Sequence, residues 1–280
     1  MKIIRTIKAM KRFSRDAKKR GKTIGFVPTM GALHNGHLSL ARQSKKDCDL
    51  TVVSVFVNPT QFGPREDLSK YPRNIRKDKK LLASVNVDVL FFPSVDEIYP
   101  GGYSTYVENT GNVAKAMCAR FRPGHFKGVA TVVTKLFNIV SPDISYFGQK
   151  DAQQAIIIKK MVKDLNFDTR IKIMPIVREK DGLAMSSRNV HLSRIDRNKS
   201  VGIYRALKKA KELIKKGTKD ADLIKKEICR VMDNHGIFIV DYVKIVNAET
   251  LEPVKKLRGR TLIAIAAYVG KTRLIDNIVV

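Results

Sequence analysis

Short apolar runs alternate with helical patterns over the first 176 residues, and this rhythm narrows the fold more than any other feature of the chain. Residues 23–27, 51–57, 87–92, 144–147 and 170–176 read as strands, the first of them closed by Pro28. Residues 8–19, 38–46, 74–84, 129–139 and 152–165 place apolar side chains at helical spacing between them. Strands that are apolar throughout are buried on both faces. Helices interposed between them cover a mostly parallel sheet from both sides. The expected fold is α/β, a Rossmann-like doubly wound parallel sheet. After residue 176 the pattern changes to a polar loop at 178–189, amphipathic helices near 196–215 and 221–235, and strands near 238–246 and 261–269. This predicts a smaller C-terminal α+β domain, dividing the chain into residues 1–176 and 177–280, with the second acting as a lid.

With 280 residues, 44% of them hydrophobic, the chain can bury a substantial core. No run approaches the roughly 18 apolar residues of a membrane span. Residues 1–13 interleave basic and apolar side chains and lack the apolar centre of a signal peptide. Cys48, Cys118 and Cys229 are scattered and form no C-x-x-C pair, so neither a disulfide framework nor a zinc ribbon is indicated. A cytoplasmic protein without a membrane partner is expected. The net charge of +28, from 54 Lys and Arg against 26 Asp and Glu, would draw in small anions. It also fits a nucleic-acid-binding protein. The basic residues, however, are spread in short runs such as 77–80 and 208–211, with no long tail and no nucleic-acid module. They read as solvated surface, and no nucleic-acid partner is expected.

Three turns carry the chemistry. In the stretch 26–40 a strand passes through a Gly-containing turn into a helix, with His34 and His37 at its mouth. Backbone N–H groups and the positive helix end suit a phosphate there, and histidines can stabilise charge developing on it. Gly31 and Gly36 would let a nucleotide approach the backbone. A turn histidine pair and a metal half-site remain alternative readings. After the next strand, Asn58 and Gln61 offer neutral amides that can read a hydroxyl or carboxylate, or form a plain Asn-Pro turn. After a later strand, Gly148 could receive an adenine or ribose, Lys150 a phosphate and Asp151 ribose hydroxyls. Gln154 follows one helical turn on, and Asp151 is also a candidate N-cap. In the polar loop, Met185, Ser186, Ser187 and Arg188 suit a grip on a triphosphate. With the upstream H-x-G-H, both elements would serve one nucleotide.

H-x-G-H paired with M-S-S-R resembles the nucleotidylyltransferase superfamily. The strings PTMGALHNGH, FVNPTQFGPREDLSKYPR, RPGHFKGVATVV, YFGQKDAQQ and REKDGLAMSSRN, in that order, resemble the pantothenate synthetase (pantoate–β-alanine ligase) family over nearly the whole chain. The positive charge is larger than that family leads one to expect. The resemblance implies a two-step ligase. Pantoate is adenylated by ATP with release of pyrophosphate, and β-alanine then displaces AMP to give pantothenate. It implies that His34 and His37 bind nucleotide, with His37 as proton donor. Met30, Gly31, Gly148, Gln149, Lys150, Asp151, Val177, Met185, Ser186, Ser187 and Arg188 would contact ATP. Lys150, Ser186, Ser187 and Arg188 would hold its phosphates. Gln61 and Gln154 would bind pantoate, helped by Asn58, His125 and Arg122, and Asp78 would reach Mg²⁺ directly or through water. A homodimer is implied as well. Two other readings compete: a nucleotidylyltransferase acting on a phosphorylated acceptor, and a basic nucleic-acid-binding protein.

Overall fold

A computed structural model describes residues 1–64 and 68–280; residues 65–67, part of the 56–73 string, lie outside the described residues. The chain gathers into two compact units. Unit 1 comprises Met1–Thr110, Arg122–Gly148 and Gln154–Pro175, and unit 2 comprises Gly111–Phe121, Gln149–Gln153 and Ile176–Val280. This is not a single cut near residue 176. Two short pieces from before residue 176 join unit 2, and Gln153 ties them together. Its buried amide accepts from Cys118 N at 3.0 Å and donates to the carbonyls of Val113 at 2.9 Å and Ala116 at 2.7 Å.

Unit 1 runs β1 (Lys2–Ile4), α1 (Ile7–Lys19), β2 (Ile24–Thr29), α2 (Asn35–Asp47), β3 (Leu50–Val55), α3 (Ile75–Ala83) and β4 (Val89–Phe91). It continues through α4 (Val95–Ile98), α5 (His125–Val140), β5 (Ile144–Gly148), α6 (Ala152–Asp164) and β6 (Arg170–Met174). The six strands pair in parallel in the order β1-β4-β3-β2-β5-β6. Successive side chains enter opposite cores, as strand pleating requires. Phe26, Val52, Phe91 and Phe147 pack with Met10 of α1 and Leu136 of α5. Their neighbours Val27, Val53, Leu90 and Tyr146 pack with Leu38 of α2 and Leu82 of α3. The doubly wound α/β expectation is thus met; α1, α2, α3, α5 and α6 lie close to their sequence-predicted positions, and α4 was not predicted. β1 went unread because it is only three residues long, one of them a lysine. It forms one sheet edge, as the Arg- and Lys-bearing β6 forms the other, where charge discourages further pairing.

Pro28 does not close β2; the strand continues to Thr29. Ile24 O accepts from Asp143 N, so alternate residues Phe26 and Pro28 turn toward β5. The ladder with β5 ends at Phe26, and the missing Pro28 N–H therefore leaves no partner unpaired. The strand order reverses between β2 and β5, the switch point at which open α/β sheets bind ligands beyond the carboxyl ends of their strands.

Unit 2 holds α7 (Arg194–Lys215), α8 (Ala221–Asp233) and an antiparallel sheet of β7 (Ile239–Asn247), β8 (Thr261–Val269) and β9 (Thr272–Val279). The helices pack Ile203, Leu207, Ile224 and Ile228 against Val243, Ile263 and Ile265 of the sheet. β9 was absent from the sequence reading. It returns from β8 through a two-residue turn with Gly270 at φ +58°, a hairpin geometry that favours glycine. Among the described residues no helix is long and apolar enough to cross a membrane.

Candidate active site

The turn after β2 is built around two residues that hold backbone in place. Thr29 donates its hydroxyl to Ser54 O at 2.7 Å and accepts from Gly31 N at 3.2 Å. Asp78, buried on α3, accepts from Ala32 N at 3.1 Å and Leu33 N at 2.8 Å. Gly31 has φ +84°, and a Cβ there would stand 3.0 Å from Val55 Cγ1 and 3.1 Å from Asp78 Oδ2. Burial pushes the Asp78 carboxyl up, against the pull of the two N–H groups. Both Asp78 oxygens brace the turn, a structural role beside the Mg²⁺ contact expected of this residue. Among the described residues no group of three or more His, Cys, Asp or Glu could hold a metal.

His34 is the N-cap of α2. Its Nδ1 accepts from Gly36 N at 3.1 Å, while His37 Nδ1 accepts from His34 N at 3.4 Å, a reciprocal capping box made by two imidazoles. The rings lie 4.1 Å apart, centroid to centroid. An Nδ1 that accepts an N–H leaves the proton of a neutral ring on Nε2. Both histidines are therefore set up as Nε2–H donors at a helix N-terminus, where the backbone also favours an anion. The spacing has a packing reason. A Cβ on Gly36 would stand 2.8 Å from His34 Cε1, so the ring lies over a position that only glycine leaves open. Gly31 and Gly36 thus make room for the protein's own side chains. Gly148 differs: a Cβ there would meet nothing within 4 Å, so its backbone is open to close approach.

A second polar cluster in unit 1 sits at the end of β3. Asn58 Nδ2 donates to Gln61 Oε1 and to Gly128 O, both at 3.1 Å, and Gln61 Nε2 lies 2.9 Å from Met30 Sδ. Gln61 O meets His125 Nδ1 at 2.8 Å, and His125 Nε2 meets Arg122 at 3.0 Å. Asn58, Gln61 and His125 are buried, and Gly128 is required because a Cβ would run into the Thr60 carbonyl. The structure thereby gathers Met30, Asn58, Gln61, Arg122 and His125. It adds Tyr99, whose hydroxyl donates to Asn58 Oδ1 at 2.9 Å and whose burial lifts its pKa to about 12. Tyr99 was missed; its tyrosine-rich surroundings, Tyr99, Tyr103 and Tyr106, were the available signal. Gln154 is half-buried on the first turn of α6.

The remaining candidates lie in unit 2. Gln149, Lys150 and Asp151 form a 3-10 turn that runs directly into α6, with Asp151 its last residue. In the polar loop, Met185 N donates to Val177 O at 3.0 Å, and Ser186 caps the 3-10 helix Ser187–His191 by accepting from Arg188 N at 3.2 Å. The loop is more tightly held than its polarity suggests. Glu179 and Asp181 are gripped by Arg197 at 2.6 and 2.7 Å, and Asn189 donates to Glu179 at 2.8 Å. Gly182, at φ +98°, is packed against the Tyr204 ring and is no free hinge.

Fold and turns together define a doubly wound α/β protein with polar side chains collected beyond the carboxyl ends of β2 and β3. A sequence model of the Pantoate-beta-alanine ligase family matches residues 2–279. The chain is 54% identical over 280 residues to the pantothenate synthetase of Fervidobacterium nodosum, covering 100% of this chain and 99% of that protein. It is 55% identical over 277 residues to that of Thermotoga petrophila, covering 99% of each. The crystal structure of pantothenate synthetase from Thermus thermophilus superposes with a TM-score of 0.94 at 40% identity, covering 99% of both chains. That of pantoate-beta-alanine ligase from Francisella tularensis, complexed with beta-gamma ATP and beta-alanine, gives 0.83 at 38% identity over 99% of this chain and 97% of that one. The chain belongs to the pantoate–β-alanine ligase family.

Proposed function

We propose that the protein is an AMP-forming ligase that condenses pantoate with β-alanine at the expense of ATP. A pantoate carboxylate oxygen attacks the α-phosphorus; the bond to the bridging oxygen of pyrophosphate breaks, and pantoyl adenylate forms. The neutral amine of β-alanine then attacks the acyl carbon, AMP leaves, and the amine nitrogen loses its proton to give pantothenate. Neither step needs a covalent nucleophile on the protein, so the chain's work is alignment and charge stabilisation.

His34 and His37 donate Nε2–H to the α-phosphate, where charge builds in the first step, and His37 is the proton donor. Gln61 and Gln154 read pantoate as neutral amides, with Asn58, His125 and Arg122 beside them. Met30, Gly31, Gly148, Gln149, Asp151, Val177 and Met185 contact ATP, and Lys150, Ser186, Ser187 and Arg188 hold its phosphates. Mg²⁺ is assigned to the triphosphate and its waters, because the described residues offer it no acidic cage. The protein works in the cytoplasm as a homodimer on these small molecules, without nucleic acid.

The full-length family match carries this reading. The histidine capping box supplies its physical core. Pantoate-dependent exchange of labelled pyrophosphate into ATP, run without β-alanine, tests it. Exchange that appears only with pantoate, followed by pantothenate once β-alanine is added, is expected. Exchange that ignores pantoate would sink it.

A further inference from the structure

β9 carries two polar residues in succession, Asp276 and Asn277, each 3% exposed. Burying two polar side chains costs stability unless every group finds a partner. Both do, and the partners fall on two separate segments of unit 2. Asn277 Nδ2 donates to Gln149 O at 2.9 Å and Lys150 O at 3.0 Å, while its Oδ1 accepts from Gln149 Nε2 at 3.2 Å. Asp276 takes the Arg178 guanidinium with both oxygens, at 2.6 and 3.0 Å, and accepts the Asn277 N–H at 2.7 Å. Arg178 also donates to Gly182 O at 3.1 Å and lies over the Tyr204 ring at 4.3 Å. Arg178 and Ala184 form a β-bridge that closes the base of the loop bearing Met185, Ser186, Ser187 and Arg188.

We propose that Asp276 and Asn277 are positioning residues for adenylation: Asn277 sets the turn from which Lys150 extends, and Asp276, through Arg178, sets the base of the loop that carries Ser186, Ser187 and Arg188. This rests on the ligase reading, in which those side chains hold the ATP phosphates. Neither β9 residue is assigned to ATP itself. Their effect is preorganisation: a grip displaced by about 1 Å can lose on the order of 10² in rate. A buried amide suits the task better than an apolar residue. It fastens two consecutive carbonyls of the 3-10 turn, donations that an apolar side chain could not make.

Asn277→Asp keeps the shape but replaces two N–H donors with a carboxylate facing two carbonyls. Asn277→Ser keeps one donor. Asp241→Asn is the control. Asp241 is a carboxylate of the same sheet, paired with Arg273 at 2.7 Å and outside the proposed machinery. The readouts are KM for ATP and for pantoate in pyrophosphate exchange, the Kd for α,β-methylene ATP, and Tm. Asn277→Asp should raise KM and Kd for the nucleotide about tenfold or more while pantoate KM stays within about twofold. Asn277→Ser should fall between, and Asp241→Asn should move Tm without this split. If Asn277→Asp does not fold, the Ser variant decides by the same split. Unchanged nucleotide affinity, or equal rises for ATP and pantoate, overturns the proposal and leaves the ligase reading intact. A wild type without pantoate-dependent exchange overturns both.

Discussion

His34 accepts the Gly36 N–H at Nδ1, which leaves the proton of its neutral ring on Nε2, so replacing it changes two properties at once. His34→Ala should lower adenylation by about 10²–10³, as for a lost transition-state donor. It should also cost about 0.5–2 kcal/mol in urea unfolding, as for a lost N-cap. His34→Asn restores a cap acceptor but not the ring, so stability should return while activity does not. Recovery of both by Asn would show that the histidine only caps. Asp78 makes the second residue-scale test. Asp78→Ala strands the Ala32 and Leu33 N–H groups, a loss of about 1–3 kcal/mol. Its activity should fall with the loosened turn and stay low at any Mg²⁺ concentration. Rescue by added Mg²⁺ would restore the metal-ligand role that the sequence suggested. The placement of His34 beside His37 at the helix start was legible because their spacing is short and local. The role of Asp78 was not, because its partners lie some 45 positions back along the chain.

At the scale of elements, the 178–189 loop is the one proposed to meet the phosphates. Its polarity reads as flexibility, yet Arg197 from α7 clamps Glu179 and Asp181. The Arg197 guanidinium holds the Asp181 carboxyl below its ordinary 3.8. A depressed folded pKa means stability present above about pH 3.8 and lost as pH falls through the lowered value. Unfolding measured against pH should therefore show wild type more stable than Arg197→Met near neutrality, with the gap narrowing in acid. A gap independent of pH would remove the ion pair as its cause. Arg188→Lys keeps the charge but loses the planar fork, so single-turnover adenylation should slow. β-Alanine attack on preformed pantoyl adenylate should slow less, because pyrophosphate has already left. The reverse pattern would take Arg188 off the triphosphate.

Across the whole molecule the net charge of +28 is the dominant long-range feature. All the proposed substrates except β-alanine are anions, and β-alanine is a zwitterion. A positive field should speed their capture, and salt should screen it. Raising ionic strength from about 0.01 to about 0.15 M shortens the screening length from about 30 to about 8 Å. kcat/KM for ATP should then fall several-fold, with kcat changing less. No salt dependence of kcat/KM would leave the charge without a role in substrate capture.

What the sequence by itself determined was set by short-range pattern. Continuous apolar runs placed β2 to β6, period-3.6 apolar spacing placed α1, α2, α3, α5 and α6, and five contiguous strings pointed to the family. These features are legible because an apolar run and a helical turn each span only a few residues. The tertiary structure decided what depends on distant partners. Pro28 could stay inside β2 only because the β5 ladder ends before it. Gly31 and Gly36 make room for Asp78, Val55 and His34. Pieces 111–121 and 149–153 belong with unit 2 because Gln153 fastens the one and Asn277 grips the other. A buried polar side chain is recognised by the group it satisfies, and here that group lies up to 128 positions away.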